Sequence, residues 1–242
     1  MDVKVNDLKI DWSYNMNLKV NLGKTTDNQE YLIDFDDQNI NLTLIVGSSG
    51  TGKSVLGYHI YKQLVDQNNP DEITFVLIDN VHLEFTQWNQ QSPYLYCPVI
   101  TNQETAFQTL ESLVGKLSEI NSGTKHYFIH IEECNQFAYD QERIQKILNS
   151  LLESKANNKI HIIFSTSRPS KEIFADWLLE LADLKIIFHL PTSEDYRTIT
   201  GQDLADNFTD TSGEKIVILN NDTIFLQPLS TDQVTNAQNF NL

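Results

Sequence analysis

The chain has 242 residues, 40% of them hydrophobic, and its 33 acidic and 17 basic side chains give a formal net charge of −16. This length is enough for one large α/β domain with its own core. No stretch approaches the ~20 apolar residues of a membrane span, the N-terminus lacks an apolar signal region, and the two cysteines are too few for a disulfide framework. We therefore expect a cytoplasmic protein without a membrane anchor of its own. Its negative charge opposes nucleic-acid binding unless basic groups gather on one surface.

Apolar patterning predicts a β-rich start followed by alternating strands and helices. Before residue 40, alternation predicts short strands at 3–5, 8–10, 18–22 and 31–35. Later apolar runs predict buried strands at 42–46, 73–78, 127–131, 160–164 and 184–188. Helical spacing or composition predicts helices at 55–64, 103–120, 140–156 and about 171–181.

Strands that alternate with helices form a parallel sheet with helical crossovers. The fold class predicted is therefore α/β, with a mainly parallel central sheet flanked by helices. We divide the chain into an N-terminal β-hairpin extension over 1–40, a core over 41–230 and a loose C-terminal tail over 231–242.

The phosphate-loop pattern G-x-x-x-x-G-K-[ST] is matched at every fixed position by Gly47-Ser48-Ser49-Gly50-Thr51-Gly52-Lys53-Ser54. A predicted strand precedes it and a predicted helix follows it. The loop therefore lies on a strand-to-helix turn, where backbone N–H groups and the positive helix end bind polyphosphates. Lys53 would reach the β- and γ-phosphates of ATP, and the Ser54 hydroxyl would bind Mg²⁺. We predict nucleotide contacts from Gly47 through Val55.

Two carboxylates follow the predicted strand at 127–131. Glu132 would belong to the Mg²⁺ shell, and Glu133 would orient and deprotonate the attacking water. A solvated acidic loop is the alternative explanation for such a pair. The phosphate loop favours the functional interpretation because the two motifs act on the same phosphates.

Two further groups of residues are candidates for contact with the γ-phosphate. Thr166 and Ser167 end the strand predicted at 160–164 and would sense that phosphate, or they would cap the next turn. Arg168 and Arg197 are candidates for stabilising the transferred phosphate in a neighbouring subunit of a ring, and ordinary ion pairs are the alternative for both.

Two segments outside the phosphate loop carry a family resemblance. The run from His161 to Ser170 is similar to the "ATQRPS" element of the FtsK/SpoIIIE DNA translocases, and the run from Asp195 to Ile199 is similar to their "DSRTIL" element. From about 18 to 229 the chain resembles the motor domain of that family, within the FtsK–HerA group of P-loop ATPases. Glu132 stands where the family has Asp, and Ser167 stands where Gln is usual.

The resemblance implies a RecA-like P-loop NTPase fold and a homo-oligomeric ring, with six as the expected number of subunits. It also implies ATP at the subunit interfaces and a substrate threaded through the pore. A protein partner that supplies DNA or substrate recognition is also expected. The family's winged-helix DNA-reading domain is not found in this sequence.

Three functions are compatible with these residues. The first, which we predict, is an ATP-driven motor that moves double-stranded DNA for partitioning, conjugation or packaging of a mobile element. The second is an ATPase of a protein secretion system of the type VII kind. The third is a non-hydrolysing nucleotide-binding auxiliary subunit. The run Ser167-Arg168-Pro169-Ser170 favours the first, whereas the acidic charge favours the other two.

Overall fold

The structure is a computed structural model that describes residues 17–36, 40–82, 84–85, 88, 90–119, 125–134, 137, 140–154, 159–168, 176–209 and 211–241. The strands predicted at 3–5 and 8–10 lie outside the described residues.

The described part of the chain contains nine strands and six α-helices. The strands are β1 (Lys19–Lys24), β2 (Glu30–Asp34), β3 (Leu42–Val46), β4 (Ile73–Asp79), β5 (His126–Glu132), β6 (Ile160–Thr166), β7 (Leu184–Phe188), β8 (Lys215–Leu219) and β9 (Asp222–Leu226). The helices are α1 (Lys53–Gln67), α2 (Gln103–Glu119), α3 (Gln141–Leu152), α4 (Asp176–Leu181), α5 (Ser193–Thr200) and α6 (Thr231–Gln238).

Seven strands form the central sheet in the order β4-β5-β6-β3-β7-β8-β9. The five strands from β4 to β7 in this order are parallel, which confirms the predicted parallel core, and β8 and β9 add antiparallel to its edge. The predicted hairpin before residue 40 is confirmed as the antiparallel pair β1–β2. A backbone bond of 2.8 Å from Gln227 N–H to the Lys24 carbonyl joins this pair to the end of β9.

The β8–β9 hairpin was not predicted from the sequence. Its turn consists of Asn220 and Asn221, which both have positive φ, at 52° and 68°. Two consecutive positive φ values are typical of a type I′ turn, which asparagine tolerates and which matches the twist of a two-strand hairpin. The two Asn residues between apolar, β-branched runs were therefore a signal that could have predicted it.

Helices cover both faces of the sheet. The core on one face contains side chains of α2, α3 and α5, and the core on the other contains side chains of α1, α6 and the β1–β2 hairpin. Because side chains alternate along a strand, each strand contributes to both cores. In β5, for example, Ile129 and Ile131 face α2 and α3, whereas Phe128 faces the opposite side. The division of the chain at residue 40 stays a prediction.

The predicted loose tail is wrong for residues 231–238, which form α6. The Ser230 side chain accepts a hydrogen bond from Gln233 N–H, and the Gln233 side chain bonds back to Ser230 N–H, so a capping box starts the helix. α6 packs against α1, and Ala237 is fully buried there. Beyond the helix, the ring of Phe240 meets that of Trp88 at 5.6 Å. Helix capping and small apolar contacts therefore order a segment whose composition is polar.

Two histidines stack at the amino ends of β5 and β6, at the end of the sheet opposite the phosphate loop. The rings of His126 and His161 lie 5.2 Å apart and nearly parallel, and His126 Nδ1 lies 2.9 Å from His161 Nε2. The Ile40 carbonyl accepts a hydrogen bond from His161 Nδ1 at 3.2 Å. Burial lowers the pKa of His161 to about 3, and the neighbouring His126 adds to the shift. Burial also lowers the pKa of His126, against the attraction of Asp36.

This pair predicts that acid destabilises the protein. Between the ordinary pKa of 6.5 and the folded value of about 3, the unfolded chain binds a proton that folded His161 does not. The contribution of His161 to the free energy of unfolding is therefore complete above pH 6.5. Below pH 6.5 it decreases by about 1.4 kcal/mol per pH unit. Urea unfolding between about pH 5 and 7.5 measures the slope. His161→Asn should flatten it and exposed His189→Asn should not; an unchanged slope in His161→Asn contradicts the assignment.

Candidate functional site

The phosphate loop follows β3 in the middle of the sheet, and both neighbouring strands hold its base. Gly47 N–H donates to the Thr166 carbonyl at the end of β6 at 3.3 Å, and Ser48 N–H donates to the His189 carbonyl after β7 at 2.9 Å. A Cβ atom at Gly47 would lie 2.5 Å from Cβ of Phe188. A larger residue would therefore displace the base of the loop.

The N-terminus of α1 is available to an anion. Gly52 is the N-cap residue with φ of 110°, in the left-handed region that favours glycine, and no side chain caps the helix. The first N–H groups of a helix have no partner within it. Together with the positive end of the helix dipole, these groups bind phosphate.

Lys53 lies buried under the loop. Its Nζ donates to the carbonyls of Gly47 and Ser48, at 2.8 and 3.1 Å. Burial lowers the pKa of the Lys53 ammonium, and the nearby carboxylates of Glu133 and Glu132 oppose that shift. The cationic group therefore lies between the loop and the acidic pair, as expected for a side chain that contacts transferred phosphates.

Glu133 is held by the end of the neighbouring strand. Its backbone has a positive φ of 47°, which is uncommon for a residue other than glycine. Ser167 N–H donates to both carboxylate oxygens at 3.1 Å, and Thr166 Oγ1 donates to Oε2 at 3.1 Å. Thr166 Oγ1 also accepts from Arg168 N–H at 3.1 Å, so it caps the turn as well. Thr166 and Ser167 therefore position the carboxylate that the sequence suggests as base.

Glu132 is buried at the end of β5. Its Oε2 lies 3.1 Å from His130 Nε2 and accepts a hydrogen bond from the Ser165 hydroxyl. Burial raises the pKa of Glu132, but the hydrogen bond from His130, the charge of His130, the hydrogen bond from Ser165 and the charge of Lys53 outweigh it, so the net pKa is lowered. A lowered pKa favours the ionised carboxylate, the form that suits a cation.

One cleft of about 380 Å³ brings most of the predicted residues together. Its lining includes the predicted residues Ser49, Gly50, Gly52, Lys53, Ser54, Val55, Glu132 and Glu133. Gly47 and Ser48 lie at the base of the loop, where they bond to Lys53. Thr51 lines an adjoining cavity of about 230 Å³ with Ser49 and Gly50.

Sequence reasoning missed four residues of this cleft, which are Tyr58, Val81, Glu84 and Gln238. The Tyr58 hydroxyl donates to Glu84 Oε2 at 2.7 Å. Burial, followed by this bond, raises the pKa of Tyr58. Tyr58 lies four residues after Ser54, on the same face of α1, and this spacing could have found it. Gln238 comes from α6, and no local pattern links it to the loop.

The two arginine candidates are placed differently. Arg197 Nη2 lies 2.6 Å from Asp203 Oδ2, and Nη1 lies 3.8 Å from Glu194 Oε2, so Arg197 takes part in ion pairs of its own subunit. Arg168 is exposed just after β6. Neither arginine is among the described residues that line the cleft. A role in a neighbouring subunit stays a prediction for both.

The donor atoms of the cleft match Mg²⁺. The Ser54 hydroxyl and the Glu132 carboxylate, both at its lining, provide hard oxygen donors that would hold the ion. In the described ranges, no group of three or more His, Cys, Asp or Glu residues could hold a metal by itself. Magnesium is usually bound by one or two carboxylates together with nucleotide phosphates, which this arrangement allows.

A phosphate loop at the end of a central parallel strand, with a lysine, a serine and two carboxylates around one cleft, defines a P-loop NTPase. The sequence model of the FtsK/SpoIIIE family matches residues 5–172, and the chain belongs to this family. None of the helices in the described ranges combines the length and apolar character that a bilayer span requires.

Sequence relatives agree with this assignment. Over 219 residues, the chain is 23% identical to the DNA translocase FtsK of Streptococcus pneumoniae. The aligned region covers 78% of this chain and 28% of that protein. The chain thus spans about a quarter of such a relative.

Two solved structures share the fold. The conjugation coupling protein TcpA of pCW3, solved with ATPγS, superposes with a TM-score of 0.73 at 18% identity over 93% of this chain and 70% of that one. The cytoplasmic domain of the type VII secretion ATPase EccC of Thermomonospora curvata superposes with a TM-score of 0.71 at 14% identity. The superposition covers 93% of this chain and 32% of that one.

Proposed function

We propose that this protein hydrolyses ATP with Mg²⁺ and uses the energy to move double-stranded DNA. The observation that carries the ATPase proposal is the position of Glu133. The end of β6 holds its carboxylate at the lining of the same cleft as Lys53 and Ser54. A base must lie near the phosphate that reacts, and this geometry provides such a group.

Each side chain has a role in this reaction. Lys53 and the first N–H groups of α1 bind the phosphates and stabilise charge on the transferred group. Ser54 and Glu132 would hold Mg²⁺, which supplies neutralisation of phosphate charge when bound. Glu133 accepts the proton of the attacking water, and Thr166 and Ser167 keep its carboxylate oriented.

The DNA substrate is proposed from the family and its named members. The matched relative is a DNA translocase, and TcpA is a conjugation coupling protein. By analogy, we expect a homo-oligomeric ring, with six subunits as the working number, and an arginine such as Arg168 acting on the neighbouring site. A separate protein partner would supply recognition of the DNA.

A protein substrate is the second candidate, and charge favours it. The net charge is −16. Several cations of the described residues are also paired with carboxylates, as in Lys19–Asp34, Lys62–Asp66 and Arg143–Glu104. Such pairing reduces the charge available to nucleic-acid phosphates. The EccC fold match is compatible with this alternative.

Duplex DNA should stimulate ATP turnover several-fold at about 50 mM salt and much less at about 200 mM, because phosphate contacts release counterions. A steady-state ATPase assay with and without duplex DNA checks this, with single-stranded DNA for comparison. Intact basal turnover that duplex DNA does not change contradicts a DNA motor and favours a protein substrate. Absence of any turnover favours the auxiliary, non-hydrolysing function.

A further inference from the structure

A chain of buried hydrogen bonds lies directly behind Glu132. Tyr61 of α1, His130 of β5 and Ser165 of β6 are 0%, 3% and 1% exposed. His130 Nε2 lies 3.1 Å from Glu132 Oε2 and 2.9 Å from Ser165 Oγ. Ser165 also bonds to Glu132 Oε2, and the Tyr61 hydroxyl bonds to His130 Nδ1. These hydrogen bonds therefore connect the helix after the phosphate loop with a carboxylate at the cleft.

Strand geometry explains why these side chains meet. Residues two apart in a strand point to the same face, so His130 and Glu132 both face α1. His130 pairs with Ile163 in the parallel register, which brings Ser165, two residues later in β6, beside Glu132. The His130 ring also packs against Phe85 at 5.0 Å between centroids, within the aromatic cluster that surrounds Tyr61.

The donors of these hydrogen bonds fit an ionised Glu132. An ionised carboxylate only accepts hydrogen bonds, so the Ser165 hydroxyl and His130 Nε2–H both donate to Glu132. At the other side of the ring, Nδ1 of His130 forms a hydrogen bond with the Tyr61 hydroxyl. Burial raises the pKa of Tyr61 well above its usual value, which keeps this hydroxyl protonated. The polar side-chain atoms of Tyr61, His130 and Ser165 each have a hydrogen-bond partner.

A glutamate at this position needs such support. Its side chain has one more rotatable bond than that of the Asp usual in the family, and ordering it costs more conformational entropy. The two hydrogen bonds from His130 and Ser165 end on the same oxygen, Oε2. Anchoring Oε2 restricts the orientation of the whole carboxylate, and Glu132 lines the cleft.

We propose that His130 is a positioning residue, which together with Ser165 anchors Glu132 so that its carboxylate is directed at the Mg²⁺ shell beside Ser54. The proposal rests on the proposed ATPase function. His130 itself is not among the described residues that line the cleft. Groups that orient metal ligands typically change metal affinity or activity by 10- to 100-fold when they are mutated, about the size of effect expected here.

The test compares His130→Phe with His130→Gln. Phenylalanine fills the ring space without donors, so the Mg²⁺ concentration that gives half-maximal ATP turnover should rise about tenfold or more. The affinity for ATP in EDTA should stay at the parent value. Glutamine can place an N–H near the position of Nε2 and should recover most of the loss. His126→Phe, at the other end of β5, is the matched control and should keep the parent Mg²⁺ requirement.

A second variant and a second readout cover failure of folding or of hydrolysis. Ser165→Ala removes the other donor and should shift the Mg²⁺ requirement in the same direction. Mn²⁺ affinity in the presence of ATPγS, followed by electron paramagnetic resonance, should fall about tenfold in His130→Phe. A parent without turnover would sink the ATPase proposal, and the Mn²⁺ affinity would then decide the positioning role. Parent-like metal affinity in both His130→Phe and Ser165→Ala overturns our inference.

Discussion

Glu133→Gln should lower ATP turnover about 10²- to 10⁴-fold, the range that general acid–base catalysis contributes, while ATP still binds. The amide has nearly the same shape as the carboxylate and can still accept from Ser167 N–H, so the loop geometry should persist. It has no basic lone pair suited to taking a proton from water. Single-turnover ATP hydrolysis and binding of labelled ATP, measured on the same preparation, separate the two effects.

Glu84→Gln is the matched control for this prediction. Glu84 lines the same cleft, but its carboxylate accepts a hydrogen bond from Tyr58, and its N–H donates to Asp79 Oδ2 at 2.8 Å. Glu84 therefore has structural partners, and Glu84→Gln should keep most of the ATP turnover of the parent protein. Undiminished hydrolysis in Glu133→Gln, or a larger loss in Glu84→Gln, would assign the base elsewhere.

Lys53→Ala should reduce ATP turnover by at least about 100-fold, the typical effect of removing one group that stabilises transition-state charge. It should weaken ATP binding as well, since in the proposed mechanism Lys53 contacts the phosphates both before and during the reaction. The fold should remain, because the apolar cores on the two faces of the sheet do not depend on this ammonium group. Turnover rate, ATP affinity and far-ultraviolet circular dichroism are the measurements.

Lys62→Ala provides the control on the same helix. Its ammonium forms an ion pair of 2.6 Å with Asp66, one turn further along α1, and the two side chains are 32% and 56% exposed to solvent. Such surface pairs contribute about 0–1 kcal/mol, so turnover should be unchanged. Parent-like turnover in Lys53→Ala would remove the phosphate loop from the mechanism.

How well the site could be predicted depended on how local each feature is. The phosphate loop is a contiguous run whose function lies in its own backbone, so residues 47–54 revealed it directly. The role of Glu133 was suggested by its place after β5, but its orientation comes from Thr166 and Ser167, more than 30 residues away. Arg197 matched a family element, and the structure pairs it with Asp203. No pattern in the sequence reports such pairings.

The elements of the fold also differ in how far local sequence patterns predict them. Period-two and helical spacing are local, and they predicted the five parallel strands and most of the helices. The sequence alone therefore determined the sheet class, the position of the nucleotide loop and the family. Only the tertiary structure decided that α6 packs on α1, that Tyr58 and Glu84 enter the cleft, and that His130 and Ser165 anchor Glu132. The reason is that these contacts join residues far apart in the chain, and strand order, register and burial bring them together.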